Sequence, residues 1–380
     1  MNYDKFIPLI VAPCSQGRIG GINTWVKNLK AYSDTHSQKK HYNILAYTNQ
    51  LRGESSTKNL KSIFTGLIIY SKLSWQIILF LRKYKPSLIH ITSSASFGLI
   101  KDLLLIRISE LFNTPVVMHW RFGRIPQLAA KLNWEWRLLK RVVQKCSFNI
   151  VIDELSFKTL LAFGVKNVVK IPNPIGINLE QESKEIRNKN YHQLKGHLIF
   201  IGRLVENKGI FELINACTHL EVVKGLLLVG PYEDNIRREL NRIACKRENG
   251  SWLIFTGSLT SAKVQENLKK SSILLLPSYS EGFPNVIVEA MTMGCAVIAT
   301  DVGAIPEMLG INTGNPCGIC VPVKSVEKLK TAIEELCDDV PKTKMMGKNG
   351  FERVLKLYTM ESIIEQYNSV WYNVINKKQP

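Results

Sequence analysis

The stretch Ser278-Tyr279-Ser280-Glu281-Gly282-Phe283-Pro284-Asn285-Val286-Ile287-Val288-Glu289-Ala290-Met291 holds the residues best suited to chemistry. An apolar run, Ile273–Leu276, ends at Pro277, and a polar loop then places Glu281 just past that strand's carboxyl end. Pro284 is expected in the first turn of the following helix, where its missing N–H costs nothing. The free N–H groups of Gly282, Phe283 and Asn285 then face out of a helix N-terminus, a surface that suits anions and hydroxyls. Glu289 sits about one turn further in. Two carboxylates facing one cleft from different heights suit hydrogen bonds from sugar hydroxyls. Their spacing alone is weak evidence, because Glu327 and Glu335 share it inside a solvated helix. The context of strand end, Gly, Pro and apolar helix carries the reading.

A second cluster is Ile201-Gly202-Arg203-Leu204-Val205-Glu206-Asn207-Lys208-Gly209. Arg203 and Lys208 bracket a loop that opens a helix. Two cations with helix N–H groups make a clamp for a diphosphate: Arg gives planar forked donors and Lys a point charge. The plainer alternative is a solvated loop. A third candidate is Gly20-Gly21, which would let the backbone approach a phosphate, although most such pairs are only turns. The chain has no Walker A pattern, and Gly20-Gly21 does not fit G-x-G-x-x-G. His119 ends the run Val116–His119, with Arg121 and Arg124 close behind. A lone His there is usually structural; the two Arg suit an acceptor phosphate or a plain surface loop. Cys317 and Cys320 form a CxxC with no second pair to complete a zinc site. Trp134 and Trp136 suit the core or a membrane edge better than a substrate platform.

These residues need a scaffold, and the apolar pattern supplies one. Strands are expected at 6–12, 43–47, 88–92, 116–119, 148–152 and 168–171, with helices at about 72–85, 97–112, 128–145 and 154–163. The stretch 173–195, with Pro174 and a run of charged residues, has linker composition. The alternation then restarts, with strands at 197–201, 225–229, 253–256, 273–276, 296–299 and 319–321 and a helical tail from about 341. Alternating strands and helices mean parallel sheets. The expected architecture is α/β: two doubly wound, Rossmann-like domains, 1–172 and 196–355, a 173–195 linker, and a closing 356–380 helix that packs back towards the first domain. Ligands in such sheets sit outside the carboxyl ends of the strands, and two domains offer an intervening cleft.

Composition narrows the class. The 380 residues are 45% hydrophobic and 21% charged, values that exclude wholesale disorder. Eight Cys are too few for a disulfide scaffold. The N-terminal residues lack the pattern of a secretory signal, so a cytoplasmic, reducing location is expected. Net charge is +19 and uneven: residues 1–172 carry 25 basic and 8 acidic residues, a surplus of +17. That bias points to an anionic membrane surface, peripheral at the inner face, as a partner of the first domain. No apolar run is long enough to span a bilayer. Ile77, Ile78, Leu81 and Tyr84 fall at helical spacing near Lys72, Arg82, Lys83 and Lys85, and are expected to form the docking face. No nucleic-acid-binding motif is visible, so no nucleic acid partner is expected.

Jointly, the motifs resemble the retaining GT-B glycosyltransferases of family 4 (glycosyl transferases group 1). The resemblance runs from Gly20-Gly21 through Gly202-Arg203-Leu204-x-x-x-Lys208-Gly209 and the Glu281…Glu289 block into Ala299-Thr300-Asp301-Val302-Gly303-Ala304-Ile305-Pro306-Glu307. The tail around Tyr358 to Tyr367 looks like the family's closing helix. The resemblance implies transfer of a hexose or N-acetylhexosamine from a nucleotide diphosphate sugar, UDP-linked, to a glycan or lipid-linked acceptor in cell-surface polysaccharide synthesis. It implies that Glu289 binds the donor ribose, and that Glu281 with Gly282, Phe283, Pro284 and Asn285 holds the donor sugar. Arg203 and Lys208 would neutralise the leaving diphosphate, Gly20 and Gly21 would approach it, and Leu259 would lie near the base. His119 would stand at the donor–acceptor junction. No metal and no cofactor are implied, because cations and helix dipoles replace the metal. Retention would follow a front-face, oxocarbenium-like step. One departure is Gly230-Pro231-Tyr232-Glu233, which lacks the second glycine of the family's Gly-x-Gly-Pro. The alternatives are a GT-B sugar-nucleotide epimerase and a non-enzymatic basic membrane-binding module; the intact Glu281, Glu289, Arg203 and Lys208 argue against the module.

Overall fold

The computed structural model describes residues 7–14, 21–35, 42–47, 60–186, 194–247 and 252–376. Two compact units emerge: Met1–Ile177 joined by Met360–Pro380, and Asn178–Thr359. The first contains β1 (Leu9–Pro13), α1 (Gly21–Thr35), β2 (Asn43–Tyr47), α2 (Leu60–Tyr84), β3 (Ile89–Ser93), α3 (Gly98–Leu111), β4 (Val116–Trp120), α4 (Ile125–Lys131), α5 (Trp134–Lys145), β5 (Phe148–Val151), α6 (Glu154–Ala162) and β6 (Val168–Lys170). Helix α7 (Ile177–Ile186) leads into the second unit. There follow β7 (Leu194–Ile201), α8 (Ile210–Thr218), β8 (Gly225–Val229), α9 (Asp234–Ala244), β9 (Leu253–Gly257), α10 (Ser261–Lys270), β10 (Ser271–Leu276), α11 (Asn285–Thr292), β11 (Ala296–Thr300), α12 (Ile305–Met308), β12 (Gly318–Val321), α13 (Val326–Asp338) and α14 (Val340–Leu357). The last helix, α15 (Met360–Asn376), returns to the first unit.

Both sheets are six-stranded and parallel, in the orders β2-β1-β3-β4-β5-β6 and β12-β11-β10-β7-β8-β9. Central strands buried on both faces read as continuous apolar runs, as β10 and β11 do. In the first sheet the period of two splits each strand between two cores. Leu9, Val11, Ile89, Ile91, Met118 and Trp120 join the core under α2 to α6. Ile10, Ala12, Val117 and Ile150 turn to the opposite core, built with Trp25 and Leu29 of α1 and Tyr367 and Trp371 of α15.

Several local expectations need correction. The expected 173–195 linker holds α7 and the start of β7, because Ile177 and Leu179 are apolar enough to be buried. Helix α2 begins at Leu60 rather than 72. The single helix expected at 128–145 is two: Leu132 adopts φ +49°, and Asn133 caps α5 by accepting from the Trp136 N–H. Of the α2 residues expected to dock on a membrane, Ile77 and Leu81 are buried in the core and Ile78 packs against it, while Tyr84 is exposed.

Candidate active site

In the second sheet the growth direction reverses between β7 and β10, and crevices at such a switch point, beyond the carboxyl ends of the strands, are where open α/β sheets bind ligands. The loops leaving these two strands are the two motifs singled out above. They are joined directly. Lys208 Nζ donates to Glu281 Oε1 at 2.5 Å, with side chains 28% and 13% exposed. The Tyr279 N–H donates to the Asn207 carbonyl at 2.9 Å. Arg203, on the same loop as Lys208, is exposed and has no ion-pair partner among the described residues. Lys208 has three N–H donors, so Glu281 leaves it capacity for an anion.

Helix α11 starts at Asn285, with Pro284 as its N-cap residue at φ −73° and ψ 105°. Pro284 therefore lies just outside the first turn expected for it: its extended ψ ends the loop, and Asn285 becomes the first helical residue. The Ile287 N–H bonds back to the Pro284 carbonyl, and the Gly282 carbonyl accepts from the Ala304 N–H. Gly282 and Phe283 are half-buried, and Phe283 packs edge-on against Tyr358. Glu289 lies half-buried on α11 with no side-chain hydrogen bond among the described residues, and burial raises its pKa above the usual carboxylate value. An unpartnered, partly desolvated carboxylate is a strong acceptor for a hydroxyl pair. Leu259 is half-buried just beyond β9, at the edge of the same sheet.

Sequence reasoning missed what fixes these loops. Of the eight positive-φ glycines among the described residues, three brace these loops: Gly209 at +67°, Gly230 at +144° and Gly303 at +59°. A Cβ on them would lie 2.0 Å from the Pro277 carbonyl oxygen, 1.9 Å from that of Gly202 and 2.3 Å from that of Glu281. Gly209 thus lets the β7 loop touch the end of β10, and Gly303 lets the β11 loop underlie Glu281. Gly230 braces the Arg203 loop together with the Leu204 N–H bond to the Pro231 carbonyl. The motif Asp301-Val302-Gly303 was visible; its contact was not. Tyr279 adds a 2.6 Å hydrogen bond from its hydroxyl to Glu212 Oε1.

The first-unit candidates behave differently. Gly21 is the exposed first residue of α1, and Gly20 lies outside the described residues. His119, expected to stand at a donor–acceptor junction, is wholly buried, so its ring offers nothing to a substrate in this structure. It ends up inside because β4 turns it to the α1/α15 side, where Trp25 and Tyr367 enclose it. Its Nδ1 lies 3.1 Å from His90 Nε2, and His90 Nδ1 accepts from Trp371 Nε1 at 3.2 Å. Burial and the Arg121 charge hold both imidazoles below their usual pKa, His90 at about 3. With both rings neutral, the Trp371 donor fixes His90 as an Nε2–H donor to His119. Arg121 stacks on Trp25 at 4.7 Å and sits beside this pair rather than on an open surface. Arg124 is tied to Glu135 at 2.8 Å and to Ser96 Oγ at 2.9 Å. Its partner Glu135 is pushed up by burial but held low overall by hydrogen bonds from Arg124 and Ser96. This pair pins the loop after β3, where Ala95 and Ser96 both have left-handed φ, +62° and +57°. Cys317 and Cys320 are both free thiols, Cys317 buried just before β12 and Cys320 half-buried within it.

Residues 182–353, nearly all of the second unit, match the family model described as glycosyl transferases group 1. TuaC of Bacillus subtilis (strain 168), a glycosyltransferase named for teichuronic acid biosynthesis, is 32% identical over 169 residues, 42% of this chain and 39% of TuaC. The capsular polysaccharide biosynthesis glycosyltransferase CapM of Staphylococcus aureus is 24% identical over 262 residues, 63% of this chain and 65% of CapM. The match thus spans less than two thirds of either relative. The structure of HepE from Anabaena in complex with UDP superposes with a TM-score of 0.70 at 17% identity, covering 97% of this chain and 100% of HepE. The fold is GT-B. In this GT-B chain the family match and the β7/β10 switch point fall in the same unit, and the two relatives are glycosyltransferases named for teichuronic acid and capsular polysaccharide biosynthesis.

Proposed function

We propose that the chain is a retaining, metal-independent glycosyltransferase of family 4 that uses a UDP-linked hexose or N-acetylhexosamine. The observation that carries this reading is the Lys208–Glu281 contact at the β7/β10 switch point, flanked by the exposed Arg203 and by the partly desolvated Glu289. Glu289 accepts the ribose hydroxyls. Glu281 and the Gly282–Asn285 backbone hold the donor sugar, Leu259 lies against the base, and Gly20 and Gly21 approach the diphosphate. As the bond from the anomeric carbon to the diphosphate oxygen breaks, Arg203 and Lys208 take up the growing negative charge, work that a metal performs elsewhere. The acceptor hydroxyl oxygen bonds to the anomeric carbon on the same face, and its proton passes to the departing phosphate. No cofactor takes part. The first unit presents a glycan or lipid-linked acceptor, with Arg121 and Arg124 shaping that side and His119 acting as a positioning residue. The place of action is the cytoplasmic face of the membrane, with no nucleic acid partner.

The test is thermal unfolding with UDP, with and without EDTA, followed by mass spectrometry of UDP-sugars mixed with membrane extract. Saturating UDP at about a hundred times Kd adds about 2.7 kcal/mol to the native state and raises Tm. Transfer persists in EDTA. A Tm indifferent to every nucleoside diphosphate sinks the donor assignment, and loss of transfer restored only by Mg²⁺ or Mn²⁺ sinks metal independence.

A further inference from the structure

The helical layer over the first sheet leaves an apolar face uncovered. Along α2, Ile68, Lys72, Trp75, Leu79 and Arg82 are all exposed and recur every three or four residues. Ile68 is 62%, Trp75 59% and Leu79 47% exposed, opposite the buried Leu73, Ile77 and Leu81. Helix α3, packed against α2, repeats the pattern: Phe97, Ile100, Leu104, Arg107 and Leu111 form its outer stripe. Ile100 is 57% and Leu111 82% exposed. Helix α5 packs on α3 and begins with the exposed Trp134, whose ring lies 5.3 Å from Phe97. Its outer side continues as Arg137, Lys140, Arg141 and Lys145. Large exposed apolar patches on a folded chain mark an interaction surface.

The charge around this face says what covers it. Helix α2 has no Asp or Glu in 25 residues. Of the acids on α3 and α5, Asp102 and Glu135 are buried, and the exposed Glu110 is bound to Arg107 at 3.2 Å. Among the described residues of these three helices the face is therefore apolar with a basic border, and Glu110 is its one exposed acid. Two copies meeting through it would bring like charges together. An anionic interface takes both components at once: Trp and Leu enter the headgroup boundary, and Lys and Arg reach outward to phosphates.

We propose that the outer face of α2, α3 and α5 is the docking surface for an anionic phospholipid bilayer, with Trp75, Phe97, Ile100 and Trp134 inserted and the α5 cations on the headgroups. This rests on the proposed membrane location and moves the contact to the side of α2 opposite the one its sequence suggested.

The experiment is co-sedimentation of the full chain with vesicles of phosphatidylcholine alone or mixed with phosphatidylglycerol, over a salt series, without donor or acceptor. The wild type binds the mixed vesicles and is released by salt. Trp75→Ser with Ile100→Ser, both at well-exposed positions, weakens partitioning by at least about tenfold at unchanged Tm, the loss expected when two large apolar groups leave an interface. Met345→Ser, at an exposed position of the second unit, leaves binding intact. Should the double variant lose Tm, Arg137→Gln with Arg141→Gln and Lys145→Gln reads the same surface by abolishing the preference for phosphatidylglycerol. Partitioning indifferent to these changes and to lipid charge overturns the proposal. So does a wild-type dimer that the double variant converts to monomer while vesicle binding stays unchanged. Because no donor is present, either result leaves the UDP test untouched, and failure of the UDP test leaves this one standing.

Discussion

Arg203 and Lys208 carry the same charge in different settings, and this separates what each would lose on substitution. Arg203 is exposed and has no ion-pair partner among the described residues, so Arg203→Ala leaves Tm unchanged while turnover drops about a hundredfold, roughly 3 kcal/mol of charge stabilisation. Lys208→Ala also orphans Glu281 in a mostly buried position, so it destabilises the fold by about 1–2 kcal/mol, between the values for exposed and buried pairs. Turnover and Tm measured on both variants separate the roles; equal Tm losses would contradict this geometry. Glu289 gives a prediction of opposite sign. Its folded pKa lies above the ordinary carboxylate value of 4.5, so the native state holds a proton longer than the unfolded chain does. Stability attributable to this group therefore falls as pH rises above 4.5, and an ionised Glu289 opposes folding at neutral pH. Glu289→Gln should raise Tm at pH 7, lose that gain in acid, and abolish the thermal shift by UDP. A Tm difference independent of pH would refute the burial account.

At the level of elements, the site is a set of loops zipped by backbone contacts, and glycine conformation decides whether they close. Gly303→Ala would need a Cβ 2.3 Å from the Glu281 carbonyl oxygen at a φ of +59°. The variant should lose about 1–3 kcal/mol by calorimetry, and its UDP affinity should fall although no donor-binding side chain has changed. A variant with wild-type affinity would show that the β11 loop does not position Glu281. The strands were legible because buried parallel strands are short apolar runs closed by turn residues: β2 and β8 coincide with the expected 43–47 and 225–229. The chemical motifs were legible because they follow strand ends. Helix α2 was not, since it is apolar nearly all round and period alone cannot say whether Ile77 or Trp75 faces inward. The setting of His119 was hidden too, because Tyr367 approaches it, and Trp371 its partner His90, from more than two hundred residues away.

For the molecule as a whole, the first unit carries a sensitivity to acid in its core. His90 and His119 have depressed pKa values when folded, through burial first and the nearby Arg121 charge second. Their contribution is complete above the unfolded value of 6.5 and is lost as pH falls towards the folded value, about 3 for His90. Two such groups give a slope of about 2.7 kcal/mol per pH unit. His119→Asn keeps an acceptor for the His90 N–H but cannot titrate, so calorimetry between pH 6 and 4 should show the slope lowered by about 1.4 kcal/mol per pH unit; an unchanged slope would remove His119 from the account. The return of α15 has a further consequence, for synthesis. Met360, Ile363, Ile364, Tyr367 and Trp371 fill one of the two cores of the first unit. On the ribosome that unit emerges first, yet it must wait, with Trp25 and His90 uncovered, while the whole of Asn178–Thr359 is translated. The second unit can mature as it leaves the exit tunnel. The order of emergence and the order of completion are therefore reversed, and the nascent first unit is the part of the chain for which chaperones have the longest window.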